Sequence, residues 1–360
     1  MAGQISLVKL RTWHRRIALI VGLFLVFQGL TGAVSQYRFW LMGVTNSAMF
    51  EVKADGEMAT PGTIVDTINR DAPDFEVAHV MYPAANAPKT AVMAMGRLAD
   101  ARPMSTMVTV DQYADSIVYQ GDLTGGWIGL ATTLHKWIIF GTIGRILLTL
   151  IGLSVAALAV LGIWLHFRTR KAGGRQPMLN RIHRYAGLFT GALLLIVAST
   201  GTALNIVTWV EKNTDNSVTG LNMRAGMEHA NNTEVRSVTL DQTYALAREQ
   251  IGRQHPIAFS PAGAHAAYDW FAFVDRQLKR TDVLVNPRSG KVEGIYPSGV
   301  LRGGDGARGW LFPVHSGYII GAAGGVIMTI MGLSLTFWFV SGLIMWRRNR
   351  PRKRRKAATS

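Results

Sequence analysis

The chain has 360 residues, 49% of them apolar and 17% charged, with a net charge of +16 and no cysteine. The lack of cysteine excludes disulfide bonds, thiolate metal sites and Cys-ligated iron–sulfur clusters. A net charge of +16 suggests nucleic acid as a partner. However, all 22 acidic residues fall within 36–134 and 207–314, so the excess of basic residues lies next to the apolar segments. That distribution is typical of the positive-inside rule and favours a lipid bilayer over nucleic acid.

The first apolar segment belongs to residues 1–35, which begin with basic residues and continue as an apolar run over 17–34. This run is long enough to cross a bilayer as a helix. A cleaved signal peptide has the same pattern. Because His14 and Thr31 match His183 and Thr200 of the internal segment 183–206 at one constant offset, we predict that the segment is retained as the first span.

Two polar segments, 36–134 and 207–314, are predicted to be small α+β domains outside the cytoplasm. Alternating apolar residues bounded by turn residues indicate strands, and longer amphipathic runs indicate helices. The predicted helices are 63–70 and 239–254, and the predicted strands are 107–110, 116–119, 270–274, 281–285 and 291–296.

The remaining spans are predicted at 135–166, 183–206 and 315–346, and the last repeats the first of these without gaps, since His135 matches His315 and Ser154 matches Ser334. The fold class is therefore four transmembrane helices arranged as two tandem two-helix repeats. Glycines at helical spacing predict close packing on the third and fourth spans, at Gly187, Gly191, Gly317, Gly321 and Gly325.

Orientation follows from the short basic loop at 167–182 and the basic tail at 347–360, which are predicted to be cytoplasmic like the N-terminus. Both polar segments then lie outside. Because each half crosses the membrane twice, the halves point the same way, and a pseudo-two-fold axis along the membrane normal relates them.

Each predicted span begins with a histidine, and the repeat pairs His14 with His183 at the cytoplasmic face and His135 with His315 at the outer face. A two-fold axis brings equivalent residues to opposite sides of a common centre, as two imidazoles must lie to ligate one haem iron. A lone interfacial histidine is more often an amphipathic anchor. His166 has Trp346 as its repeat partner, so it is either a competing inner ligand or an interfacial residue.

Three arginines lie near these histidines in the sequence. Arg145 follows His135 by about two and a half turns, where a charge needs water or an anion, and a haem propionate or a lipid headgroup would serve. Arg15 and Arg184 each follow a paired histidine and could hold inner propionates. As positive-inside residues they need no such role.

The chain resembles the PepSY-associated transmembrane helix proteins, iron-regulated inner-membrane proteins that include ferric-siderophore reductases. The resemblance rests on four motifs and covers nearly the whole chain. They are Trp13-His14-Arg15, Leu134-His135-Lys136-Trp137 with Gly141, Ile182-His183-Arg184-Tyr185, and Val314-His315-Ser316-Gly317 with Gly321. It implies a bacterial inner membrane, PepSY-like outer domains, and two haem b groups held by His14, His183, His135 and His315.

The resemblance also implies a function: electrons from an unidentified cytoplasmic donor reduce Fe(III) in a siderophore outside the cytoplasm. A dock for the chelate could include residues close in sequence to the outer histidines, namely Arg302, Arg308, Trp310, Phe312 and Trp127. The alternative is a haem-free, membrane-anchored PepSY protein that binds or inhibits a protease or another partner. His79, His229, His255 and His265 lack metal-ligand spacing and are predicted to be solvated.

Overall fold

The structure is a computed structural model. It describes residues 6–83, 87, 89–98, 106–136, 140–169, 177–213, 236–263, 267–275, 280–297 and 303–348, without the side chains of 211–213 and 303–309. It divides into a helical unit (Met1–Gln36, Leu134–Ile206 and Leu311–Ser360) and a sheet unit (Tyr37–Thr133 and Val207–Trp310).

The described helices include long apolar ones and short amphipathic ones. They are α1 (Leu7–Gln36), α2 (Arg38–Thr45), α3 (Pro61–Asp71), α4 (Gly126–Lys136), α5 (Gly141–Thr169), α6 (Met178–Asn213), α7 (Leu240–Ile251), α8 (Gly303–Ser316) and α9 (Gly321–Arg348). Among the described residues, α1, α5, α6 and α9 are long and apolar enough to cross a membrane, which confirms the four predicted spans.

Helices α5 and α9 begin later than the sequence predicts. Gly141 and Gly321 have φ angles of 53° and 66°, which glycine adopts without the strain that a Cβ atom causes. These glycines are the first residues of α5 and α9, whereas His135 and His315 lie in the last turns of the preceding helices α4 and α8. The prediction that these two histidines open the spans is wrong.

The predicted glycine faces are also wrong in part. Gly317 has a φ angle of 80°, so Gly317, Gly321 and Gly325 do not form one helical ridge. Among the described residues, a Cβ atom on Gly187 would meet nothing within 4 Å, and one on Gly191 would meet only Ile163, at 3.6 Å. The spacing of glycines shows neither their φ angles nor which way they face.

Helix α1 packs against α5 and α9 in the helical unit. Val21, Leu25, Val155, Leu158 and Leu335 form its buried apolar cluster. The backbones of α1 and α9 come closest at two further residues: a Cβ atom on Gly29 would clash with the carbonyl oxygen of Gly332. Small residues permit this approach where helices cross without intervening side chains.

The sheet unit contains one antiparallel sheet with the strand order β4-β3-β2-β1-β5-β6-β7-β8. Its strands are β1 (Phe75–Met81), β2 (Val92–Leu98), β3 (Thr106–Asp111), β4 (Ser116–Asp122), β5 (His255–Ser260), β6 (Asp269–Val274), β7 (Arg280–Val285) and β8 (Val292–Pro297). Strand β1 pairs with β5, with Val80 opposite Phe259. The two polar segments, expected as two small domains, therefore form one unit.

Helices α3 and α7 cover one face of this sheet. Ile64 and Ile68 of α3 and Ala247 of α7 share one core cluster with Phe259 and Phe271 of the strands. Strand residues alternate between the two faces, so every second side chain enters this core. Asp241 of α7 links the helices, because its carboxylate accepts a hydrogen bond of 2.7 Å from the Gly62 N–H at the start of α3.

Candidate functional site

The outer histidines each lie against a glycine of a long helix. A Cβ atom on Gly32 of α1 would lie 2.9 Å from Cε1 of His135, and one on Gly201 of α6 would lie 2.6 Å from Cε1 of His315. Real Cβ atoms do not approach other atoms this closely, so each imidazole occupies the space that a larger side chain would fill.

Backbone hydrogen bonds fix the orientation of both outer rings. Nδ1 of His315 lies 2.9 Å from the carbonyl oxygen of Val197. Because a carbonyl only accepts, this nitrogen carries the proton in the neutral ring, and the Nε2 lone pair is left for a metal. His135 hydrogen-bonds the backbone of Gln28, which is the repeat equivalent of Val197.

Two buried threonine hydroxyls flank these rings. Thr31 Oγ1 lies 3.3 Å from Nδ1 of His135, and Thr200 Oγ1 lies 3.5 Å from Nδ1 of His315. Each hydroxyl also donates to a carbonyl of its own helix, so it presents a lone pair to the imidazole N–H. The two outer sites therefore have the same polar surroundings.

The inner histidines also lie near glycines, in this case of α5 and α9. A Cβ atom on Gly162 would lie 3.2 Å from Cε1 of His14, and one on Gly342 would lie 3.8 Å from Cε1 of His183. Nδ1 of His183 hydrogen-bonds Ser341 Oγ at 2.9 Å. His183 is within electrostatic range of His14, as His135 is of His315.

Contacts with residues of α6 fix the position of the His166 ring. Its Nδ1 donates to the carbonyl oxygen of Arg184 at 3.0 Å, and its ring stands edge-on to Tyr185 with the centroids 5.5 Å apart. It therefore packs beside the residue that follows His183, and its Nε2 also keeps a lone pair.

The three arginines differ in burial. Nε and Nη2 of Arg184 are buried and have no hydrogen-bond partner among the described residues. The Arg184 side chain as a whole is half-buried, and its guanidinium lies over the Tyr185 ring with Cζ 5.5 Å from the centroid. The two nitrogens without a hydrogen-bond partner are the part of this cation that an anion would satisfy. Arg15 is exposed and Arg145 is half-buried, as lipid-facing or water-facing cations would be.

The donor set fits haem better than other metal centres. Within the described residues, no group of three or more His, Cys, Asp or Glu side chains could hold a metal ion together. A structural zinc site takes four such ligands, whereas bis-His haem takes two imidazoles, and the porphyrin supplies the other donors. The paired histidines, with His183 and His315 hydrogen-bonded at Nδ1, and the two Arg184 nitrogens without a hydrogen-bond partner among the described residues are compatible with haem and its propionates.

One histidine of the sheet unit differs from its predicted environment. His79 is part-buried, contacts Ser260 Oγ at 3.1 Å through Nδ1, and lies against Trp270. Burial, with a smaller effect from Arg280, lowers the pKa of His79 to about 4. The prediction that His79 is solvated is therefore wrong. His229 and His265 lie outside the described residues.

The residues suggested as a dock fall into two groups. Trp127, Trp310 and Phe312 are exposed, with exposed fractions of 57%, 60% and 52%. Arg302 and the side chain of Arg308 lie outside what the structure describes. The sheet unit also has a cavity of about 440 Å³ beside α2 that the sequence did not reveal, lined in part by Phe39, Trp40, Phe50, Lys89 and Met93.

Sequence reasoning missed the four glycines as histidine neighbours, although the repeat already paired Gly32 with Gly201 and Gly162 with Gly342. That pairing was the available signal. Ser341 gave no such signal, because Leu161 occupies its repeat position.

Four apolar spans and an antiparallel sheet unit define a multi-pass membrane protein. The family model described as the PepSY-associated TM region matches residues 11–349. The chain therefore belongs to this family, and the resemblance read from its motifs is confirmed. No curated protein matches the chain significantly.

Proposed function

We propose that this chain is an inner-membrane electron-transfer protein that binds two haem b groups and reduces the ferric iron of a siderophore. His14 and His183 would hold the inner haem, and His135 and His315 the outer one. The observation that supports this most is the outer pair: both imidazoles lie against glycines, and both are tied to helix backbone.

The proposal also includes the orientation and the repeat. The sheet unit would lie outside the cytoplasm as two fused PepSY-like modules, and the basic loop and both termini would lie inside. Val80 lies opposite Phe259, and Gly62 contacts Asp241. The two residues of each pair are separated by the same number of positions in the sequence, which supports a duplicated origin of the polar segments. Equivalent residues meet in this way near a local two-fold axis.

The chain's own residues would bind and orient the cofactors. Hydrogen bonds at Nδ1 of His135, His183 and His315 hold these three rings in the tautomer whose Nε2 can ligate iron. Arg184 would neutralise an inner propionate through its buried nitrogens. Haem, when bound, supplies an iron that gains and loses one electron at a time.

The substrate chemistry needs only electrons. One electron from a cytoplasmic donor, passed across the membrane, converts the chelated Fe(III) to Fe(II). Catecholate and hydroxamate oxygens are hard ligands that hold Fe(III) much more tightly than Fe(II), so reduction loosens the chelate. The reduction forms no new bond and transfers no group.

Haem content tests the proposal first. Full-length protein made with ample haem and purified in detergent should contain haem b, counted per chain as the pyridine haemochrome. Replacing His135 or His315 by Ala should remove about half of it, because each change deletes an axial ligand of the same haem. Replacing His79 by Ala, in the sheet unit, is the matched control and should leave the count unchanged.

Electron transfer tests it second. Dithionite-reduced protein mixed with a ferric trihydroxamate in a stopped-flow instrument should reoxidise, and His315→Ala should slow this by about tenfold or more. Protein that stays colourless despite added haem would overturn the proposal. That result would favour a haem-free anchor that binds another protein.

A further inference from the structure

The inner histidines differ in what holds Nδ1. Nδ1 of His183 lies 2.9 Å from Ser341 Oγ, and that oxygen lies 3.1 Å from the carbonyl oxygen of Trp338. Because a carbonyl oxygen only accepts, the Ser341 hydroxyl donates this hydrogen bond to the backbone carbonyl of Trp338. Its oxygen then accepts from the His183 N–H, which leaves Nε2 of this ring unprotonated.

The other half of the chain lacks this hydroxyl. Leu158 and Leu161 are the repeat equivalents of Trp338 and Ser341. His14 lies near the backbone of Leu158, but its buried Nδ1 has no hydrogen-bond partner of normal geometry among the described residues. The serine therefore bridges imidazole and carbonyl in one half only.

The contact of Ser341 with His183 goes beyond the hydrogen bond that a serine usually makes within its own helix. Serines within helices commonly donate to a carbonyl three or four residues earlier, and Ser341 does so. This hydrogen bond within the helix does not by itself place an imidazole next to the serine oxygen. Ser341 is only 2% exposed, and the Trp338 indole stands edge-on to the His183 ring with the centroids 5.5 Å apart.

We infer that Ser341 is a positioning residue that fixes the tautomer of His183 and thereby tunes the inner haem. The inference rests on the proposed function. An imidazole that donates a hydrogen bond from Nδ1 is a more basic ligand and favours Fe(III) over Fe(II). Loss of the acceptor therefore raises the midpoint potential of the haem that His183 ligates.

A redox titration of haem-loaded, full-length protein, followed in the visible spectrum, tests this inference. Ser341→Ala should raise one of the two midpoint potentials by about 60 mV, the equivalent of a tenfold change for a one-electron couple. Ser341→Thr keeps the hydroxyl and should restore the wild-type value. Ser154→Ala is the matched control, because Ser154 is half-buried on α5 and its hydroxyl donates to the Leu150 carbonyl of its own helix.

Leu161→Ser supplies the reciprocal variant. A hydroxyl at this position can bridge Nδ1 of His14 and the Leu158 carbonyl, so the inner potential should fall. Selective loss of the inner haem in Ser341→Ala, with rescue in Ser341→Thr, supports the inference equally. Two haems with wild-type potentials in Ser341→Ala would overturn it while leaving the proposed function intact. Absence of haem from the wild-type protein would overturn the proposed function and the inference together.

Discussion

At the scale of single residues, the most specific feature of the site is that each paired imidazole lies beside a glycine, which leaves room for the ring. Gly201→Ala places a Cβ atom 2.6 Å from Cε1 of His315, so the ring or the helix must shift, and a shift of the ring disturbs its hydrogen bond to Val197. Overpacking of this kind costs about 1–3 kcal/mol. We expect Gly201→Ala to lower haem content by up to about half, measured as the pyridine haemochrome, as loss of a ligand does.

Gly187→Ala is the matched control for this prediction. Gly187 lies on the same helix, and an added Cβ atom there would meet nothing within 4 Å among the residues that the structure describes. This variant should keep its haem. Equal losses in the two variants would mean that alanine disturbs α6 generally and that the ring contact is unimportant.

His79 gives a pH dependence to the stability of the sheet unit. Its pKa is about 4 in the folded protein, against 6.5 for an ordinary histidine, so the unfolded chain binds more protons between these values. This contribution to stability is present above pH 6.5 and is lost as the pH falls toward 4, by up to about 1.4 kcal/mol per pH unit.

His79→Gln should therefore show a smaller fall in Tm than wild type between pH 7 and pH 5, as followed by intrinsic fluorescence. Ser260→Ala keeps the titrating imidazole and removes only its hydroxyl partner, so it should retain the wild-type pH dependence. An unchanged pH dependence in His79→Gln would contradict the assignment.

At the scale of elements, the left-handed glycine at the start of α5 separates it from α4, which carries His135. Gly141 has a φ angle of 53°, and no described atom lies within 4 Å of an added Cβ atom, so alanine there acts through backbone strain. Such strain costs about 1–2 kcal/mol. We expect Gly141→Ala to lower the Tm, and Gly141→Asn to lower it less because Asn tolerates this conformation. Equal Tm values for all three proteins would contradict this.

Hydropathy and charge were enough to predict the four spans, because a bilayer sets their length and sign pattern. The α3 helix and strands β3, β4, β6, β7 and β8 also followed from local pattern. Strands β1, β2 and β5 were missed, since Pro256 and short irregular alternation obscure them. The β1–β5 pairing joins residues that are far apart in the chain, and no local pattern encodes such a partner.

The candidate site was only partly predictable for a related reason. The repeat identified the four paired histidines before any geometry was known. Glycines at helical spacing fit a continuous helix, so the positive φ angles of Gly141 and Gly321 depend on tertiary context. Ser341 breaks the repeat, and only its contact with His183 reveals it.

At the scale of the whole molecule, the lack of cysteine permits a direct test of membrane orientation. A single introduced thiol is the only site for a maleimide, which reacts with the thiolate. Asp55→Cys lies on the surface of the sheet unit, and Met178→Cys lies at the start of α6, where Met178 is 76% exposed. The proposed topology puts these two positions on opposite sides of the membrane.

Intact spheroplasts treated with a membrane-impermeant maleimide should therefore label Asp55→Cys and spare Met178→Cys until detergent is added. Both variants carry the same wild-type spans and basic loops, so the difference reports sidedness alone. Labelling of Met178→Cys in sealed cells, with Asp55→Cys protected, would reverse the orientation. The outer histidines would then lie on the cytoplasmic side, and a siderophore outside could not receive their electrons.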